Sequence, residues 1–84
     1  MTFVKNNTDQ HVTVIIRHAC GNSWIYHVAP RGIEEQNTFH PCPAAFPGIW
    51  VVCRYADGRI IEGPGGECDN VYVGQFQIRP FDCL

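Results

Sequence analysis

The stretch "GIWVVCRYADGRIIEG" at residues 48–63 carries the strongest indication of the fold. Two runs rich in β-branched, aliphatic and aromatic residues flank the dipeptide Asp57-Gly58. An Asp-Gly pair between two such runs is typical of a two-residue type I′ β-hairpin. The register that this turn predicts sets the following residues opposite each other: Tyr55 and Ile60, Arg54 and Ile61, Cys53 and Glu62.

The rest of the chain has the same strand-like character. "HVTVIIRH" at 11–18 alternates apolar and polar positions, as a strand with one buried face does. "SWIYHV" at 23–28 lies between two turns, and "NVYVGQFQIRPF" at 70–81 continues the alternation. No window shows helical periodicity, and 8 glycines and 6 prolines interrupt the chain. We therefore expect an all-β fold, a single small antiparallel β-sandwich of six or seven strands spanning residues 1–84.

Two resemblances support this architecture. "FVKNNTDQHVTVII" at 3–16 resembles the opening strands of thaumatin-like proteins, in which a strand, an Asn-rich turn and a Val-rich strand follow one another. With "YHVAPRG", "FPGIWVV" and "ADGRI", its spacing is similar to that of the β-domain of the von Hippel-Lindau protein. Both resemblances imply a β-sandwich, and neither assigns a function to a residue of this chain.

Charge and hydropathy exclude two classes of partner. The formal net charge is -2, and the 6 basic and 8 acidic side chains are spread along the chain, so nothing resembles a nucleic-acid footprint. No apolar run reaches the eighteen or more residues that a membrane span needs, and residues 1–10 lack the apolar stretch of a signal peptide. We expect no nucleic-acid partner and no membrane span.

The 5 cysteines raise the question of compartment. If Met1 is a native start, the thiols lie in a reducing cytosol; if Met1 replaces a removed signal peptide, disulfides are expected. Small secreted domains commonly use disulfides to compensate for a small core. The cysteine content therefore favours a secreted, disulfide-stapled protein.

Spacing alone leaves the pairing of the cysteines open. Cys20 and Cys42 each follow a strand end, where a bridge would close a loop and stabilise the fold by about 3 kcal/mol. Cys53 and Cys68 form a second candidate pair, because a Gly-Pro-Gly-Gly turn between them reverses the chain. Cys83 then remains as a free thiol or as the link of a homodimer.

A metal site is the alternative for two of these cysteines. The tripeptides His18-Ala19-Cys20 and His40-Pro41-Cys42 would supply two imidazoles and two thiolates, a donor set that suits tetrahedral zinc. One residue separates each pair, whereas structural zinc pairs usually have two to four, so the preferred hypothesis contains no metal and no cofactor. The alternative is an intracellular zinc-binding or interaction domain that uses these residues.

The aromatic residues are the candidate binding residues: Trp24, Tyr26, Trp50 and Tyr55. They could form a flat surface for a protein or a carbohydrate, or they could fill the core of a small sandwich. No catalytic residue is predicted, because the sequence has no nucleophile elbow, no phosphate-binding loop before a helix and no zinc-protease helix. We expect a secreted, non-enzymatic binding module of the effector, defence or inhibitor type.

Overall fold

The computed structural model describes residues 2–18, 21, 23–36, 49–66 and 70–81. These residues form eight β-strands and contain no helix, and therefore none that could cross a membrane. The strands are β1 (Thr2–Asn6), β2 (Val12–His18), β3 (Ser23–Val28), β4 (Ile33–Gln36), β5 (Ile49–Tyr55), β6 (Ile60–Gly66), β7 (Asn70–Val73) and β8 (Ile78–Phe81).

The strands form two four-stranded sheets, which confirms the all-β class. Sheet I has the order β4-β1-β7-β8, and sheet II has the order β3-β2-β5-β6. Every pair in sheet II is antiparallel. In sheet I, β1 and β7 are parallel, so the prediction of a purely antiparallel sandwich was wrong at this pair. A pairing between strands this far apart in the chain leaves no local sequence signal.

The core lies between the sheets and is built by alternation along each strand. On β2 the inward side chains are Val12, Val14 and Ile16, as predicted. The rest of the buried apolar cluster comes from four other strands: Val4, Tyr26, Val28, Val51, Cys53, Tyr55, Val71 and Val73. Burial of this cluster removes apolar surface from water and is the main favourable contribution to folding.

The β5–β6 hairpin is present, but its predicted turn type and register were wrong by one residue. Gly58 N donates to the Tyr55 carbonyl at 3.0 Å, and Gly58 has φ of 94°. Asp57 is not among the described residues with positive φ, whereas a type I′ turn requires positive φ at both central positions. Cys53 therefore pairs with Ile61 and not with Glu62. This register places an aliphatic side chain, instead of a carboxylate, beside the buried Cys53.

The C-terminal stretch that the alternation predicted as one strand is a hairpin. β7 ends at Val73 and β8 begins at Ile78, and Gly74 N donates to the Gln77 carbonyl at 2.7 Å. A Cβ at Gly74 would lie 3.1 Å from that carbonyl oxygen, so the tight turn favours glycine. This turn and the short β4 explain why the described residues form eight strands where six or seven were expected.

A buried polar cluster closes one end of the sandwich. The Asn6 side chain is 0% exposed, and its Nδ2 donates to the carbonyls of Gln10, Val28 and Ala29 at 2.8, 3.3 and 3.0 Å. Its Oδ1 accepts from the backbone N and the hydroxyl of Thr8 at 2.9 and 2.6 Å. Asn6 thus joins the end of β1 to the segment before β2 and to the end of β3.

Candidate binding surface

The outward side of sheet II is an ordered array of side chains, because the register fixes which residues lie side by side. We call it the sheet II outer face. Its three rows, each read from β3 to β6, are Ser23, Arg17, Trp50 and Pro64; Ile25, Ile15, Val52 and Glu62; His27, Thr13, Arg54 and Ile60. The alternate residues of the same strands point into the core, so this face is built by the same alternation that builds the interior.

An apolar patch occupies the middle of this face. Ile15 is half-buried and Val52 is 8% exposed, and together they form its floor. Around them, Ile25 is 52%, Trp50 is 41% and Ile60 is 57% exposed. In an antiparallel sheet, directly opposed and diagonal side chains are neighbours, so these five residues are contiguous. A contiguous apolar patch on a protein surface is often a contact site for another molecule.

Two cations flank the patch at opposite ends. Arg17 lies beside Trp50 in the first row, and Arg54 lies beside Ile60 in the third. Both side chains are exposed, and neither forms a salt bridge with a described acidic residue. In contrast, Arg31 and Arg59 each lie within 3.0 Å of an aspartate. Arg17 and Arg54 are thus available to an incoming group.

The outward side of sheet I differs in arrangement. One of its rows reads Ile33, Lys5, Tyr72 and Arg79 across the four strands. The cation of Lys5 therefore separates the two large apolar residues of that row, and Lys5 Nζ donates to the Arg31 carbonyl at 2.8 Å. Sheet I has no row of three adjacent aliphatic side chains among its described residues, whereas sheet II has Ile25, Ile15 and Val52.

The structure does not bring the four predicted aromatic binding residues together. Tyr26 and Tyr55 are buried in the core, and the half-buried Trp24 packs against it. Trp50 alone of the four lies on an outer face. Ile25 and Ile60, which are exposed on the same face as Trp50, were not predicted as binding residues. An aliphatic residue in a strand is usually assigned to the core. Their strand parity, opposite to that of Tyr26 and Ile61, was the available signal.

Cys53 is the one predicted disulfide residue within the described part of the chain. It is 0% exposed, and its thiol is free. Burial raises the pKa of Cys53 from 9.0 to about 11, against the opposing effects of its hydrogen bond with Tyr55 and the charge of Arg59. The other four lie outside the described residues, so the pairings Cys20–Cys42 and Cys53–Cys68 and the free Cys83 stay predictions.

Cys53 lies beside residues that connect the β5–β6 hairpin to the β7–β8 hairpin. The Tyr55 hydroxyl donates to the Gly74 carbonyl at 2.5 Å, which links β5 to the β7–β8 turn. The Arg59 guanidinium lies 4.5 Å from the centre of the Tyr55 ring and 5.4 Å from that of Phe76. Burial, with the neighbouring Cys53, raises the pKa of Tyr55 from 10.0 to about 12. A protonated, buried thiol in this setting is a packing group and a poor nucleophile at neutral pH.

The alternative zinc ligands are mostly outside the described residues. His18 ends β2 and is half-buried, whereas Cys20, His40 and Cys42 are not described. Within the described ranges, no group of three or more metal-binding side chains is found. The zinc hypothesis therefore stays a prediction.

Comparisons with known proteins add no relative: no family model, no curated protein and no solved structure matches the chain. The resemblances to thaumatin-like proteins and to the von Hippel-Lindau β-domain thus depend on the quoted sequence stretches. Among the described residues, the sheet II outer face is the feature that indicates a function.

Proposed function

We propose that this protein is a non-enzymatic binding module that recognises another protein through the sheet II outer face. The observation that carries the proposal is the contiguous apolar patch of Ile15, Ile25, Trp50, Val52 and Ile60. Ile25, Trp50 and Ile60 are each about half exposed, so the free energy that their full burial would contribute is not gained within this chain. A partner that covers them recovers it.

The composition of the face favours a protein over a carbohydrate. Protein interfaces are enriched in aromatic residues and arginine around an apolar centre, and this face has Trp50 with Arg17 and Arg54 around aliphatic side chains. Carbohydrate sites usually combine an aromatic plane with several hydrogen-bonding groups. Aliphatic Ile25 and Ile60 supply neither.

Secretion and disulfide stapling remain part of this proposal, and the cysteine content supports them. A homodimer linked through Cys83 is the corresponding proposal for the fifth thiol. The absence of known catalytic motifs from the sequence supports a binding role rather than an enzymatic one.

Selection from a display library of random linear peptides, with the full chain as the target, tests the proposed function. We expect selected peptides to lose affinity by about tenfold or more when Ile25→Ser and Ile60→Ser are combined, because their contact area falls. The control is Ile33→Ser, which changes an isoleucine of similar exposure, 48%, on sheet I.

The other outcomes would overturn the proposal. Peptides that bind the Ile25→Ser/Ile60→Ser variant as tightly as the wild type would place recognition elsewhere. A library that yields no binder, together with a glycan array whose hits are lost in the same variant, would assign the face to carbohydrate. Folding of each variant is checked by its near-ultraviolet circular dichroism.

A further inference from the structure

We infer that the partner segment bound by the sheet II outer face carries an acidic residue on each side of an apolar centre, and this inference rests on the proposed function. The observation behind it is the placement of two arginines without a described acidic partner, Arg17 and Arg54, at the two ends of the patch. The whole chain has a net charge of -2, so the positive charge of this face is opposite in sign to the net charge of the chain.

Three charged side chains and one histidine lie at the described positions of the face. Arg17 and Arg54 are the cations, Glu62 is the carboxylate, and His27 lies at the β3 edge beside Thr13, 3.4 Å from its hydroxyl. Glu62 belongs to the middle row on β6, one of the two edge strands of the sheet. Neither arginine is within salt-bridge distance of Glu62. The face is therefore net positive with its cations exposed.

The spacing of the arginines defines the partner more closely. Arg17 is in the first row and Arg54 is in the third, four residues apart along neighbouring strands. At roughly 3.4 Å per residue, the two positions are separated by about 14 Å along the strand direction. Two carboxylates at positions i and i+4 of an extended segment span the same distance and point to the same side.

The residue between those carboxylates would lie over the apolar floor. In an extended segment the side chain at i+2 shares the side of i and i+4, so it would point at Ile15 and Val52. Arginine binds a carboxylate through paired hydrogen bonds, and such bonds are stronger where apolar surface excludes water. The face therefore fits a five-residue extended segment that has acidic residues at its first and fifth positions and an apolar residue at its third.

Strand addition at the β6 edge is a weaker explanation for partner binding to this sheet. Pro64 lies in the edge strand β6 and lacks the N–H that an added strand would need at that position. Exposed Glu62 also lies on this strand, and charged residues on edges disfavour strand addition. These residues favour partner binding on the sheet II outer face over partner binding at the β6 edge.

Three matched display libraries test the inference on the full chain. They share an apolar residue at i+2 and random residues at i+1 and i+3, and they differ only in carrying Glu, Gln or Lys at both i and i+4. We expect binders from the Glu library to bind about tenfold more tightly than those from the Gln library, and the Lys library to bind most weakly. This preference should shrink at high salt, which screens exposed charges.

Substitution of the arginines locates the effect. In the Arg17→Gln/Arg54→Gln variant, the Glu and Gln libraries should bind about equally. Arg79→Gln is the matched control, because Arg79 is exposed on sheet I and should leave the preference unchanged. All three positions are exposed, so the variants are expected to fold like the wild type.

Two failures can be told apart. Equal binding of the Glu and Gln libraries to the wild type, with loss of both in Ile25→Ser/Ile60→Ser, would overturn the acidic partner and leave the proposed function standing. Binding of every library that is insensitive to Ile25→Ser/Ile60→Ser would overturn the proposed function as well.

Discussion

Two regions of this protein reverse the usual distribution of polar and apolar groups. At one end of the sandwich, the polar Asn6 and Thr8 are buried, at 0% and 3% exposure. On the sheet II outer face, Ile25 and Ile60 are more than half exposed. Buried polar groups and exposed apolar patches are the informative departures from the rule that hydrophobic residues lie inside.

The two departures differ in whether they are compensated within the chain. Both polar atoms of the Asn6 side chain have hydrogen-bond partners, so the cost of removing them from water is offset. The exposed side chains of Ile25 and Ile60 have no such compensation within the described residues. A compensated departure indicates a structural role, and an uncompensated one indicates a surface for another molecule.

The largest expected effect is that of Asn6→Ala on stability. This change removes a buried amide that donates to the carbonyls of Gln10, Val28 and Ala29 and accepts from Thr8, so we expect a loss of about 3 kcal/mol in the free energy of unfolding. Urea denaturation measures it. Asn7→Ala is the control, because Asn7 is exposed and its backbone N still donates to Val73. Equal losses in both variants would contradict the structural role of Asn6.

A smaller effect is expected at alkaline pH, from the core group that contains Cys53 and Tyr55. Their pKa values are raised to about 11 and about 12 in the folded protein, against 9.0 and 10.0. The folded protein therefore keeps protons that the unfolded chain releases, and stability falls as pH rises from 9 through 11 for Cys53 and from 10 through 12 for Tyr55.

Variants separate the two contributions to this alkaline fall. Tyr55→Phe should cost about 1 kcal/mol at neutral pH, through loss of the hydrogen bond to Gly74, and should flatten the fall above pH 10. Cys53→Ala should flatten the fall between pH 9 and 11. Urea denaturation at stepped pH measures both. If the free energy of unfolding of the wild type does not fall between pH 9 and 11, the Cys53 thiol does not titrate there. That result would indicate that Cys53 is paired, as in the predicted bridge to Cys68.

The smallest effect is expected on the sheet II outer face. Ile25→Thr and Ile60→Thr should each change the free energy of unfolding by no more than about 0.5 kcal/mol, because both side chains are already largely in water. Ile16→Thr is the matched control, since Ile16 is 1% exposed, and we expect it to cost about 2 kcal/mol or more. A large loss in the exposed variants would show that the patch belongs to the core.

The predictability of this fold follows the range of the interactions involved. β3 at Ser23–Val28 and the inward side of β2 were predicted correctly, because each depends on alternation within a few residues. The turn at Asp57-Gly58 was located correctly but assigned the wrong type, because the choice between two turns depends on which register buries Ile61 rather than Glu62.

The candidate site was harder to predict for the same reason. Trp50 and Val52 share a face because they are two residues apart on a strand, a relation that the sequence contains. Which side of the strand would be covered was undetermined, because β5 is apolar on both sides. Burial of Val51 and Cys53, rather than Trp50, was decided by the position of sheet I across the core.

By itself, the sequence determined the strand-rich class, most strand positions and the locations of the turns, because alternation and turn chemistry act between near neighbours. The tertiary structure decided the parallel pairing of β1 with β7, the burial of Asn6 and the exposure of the patch around Trp50. Each of these depends on which distant segments meet. A strand with two apolar sides carries no local record of which side the opposite sheet will cover.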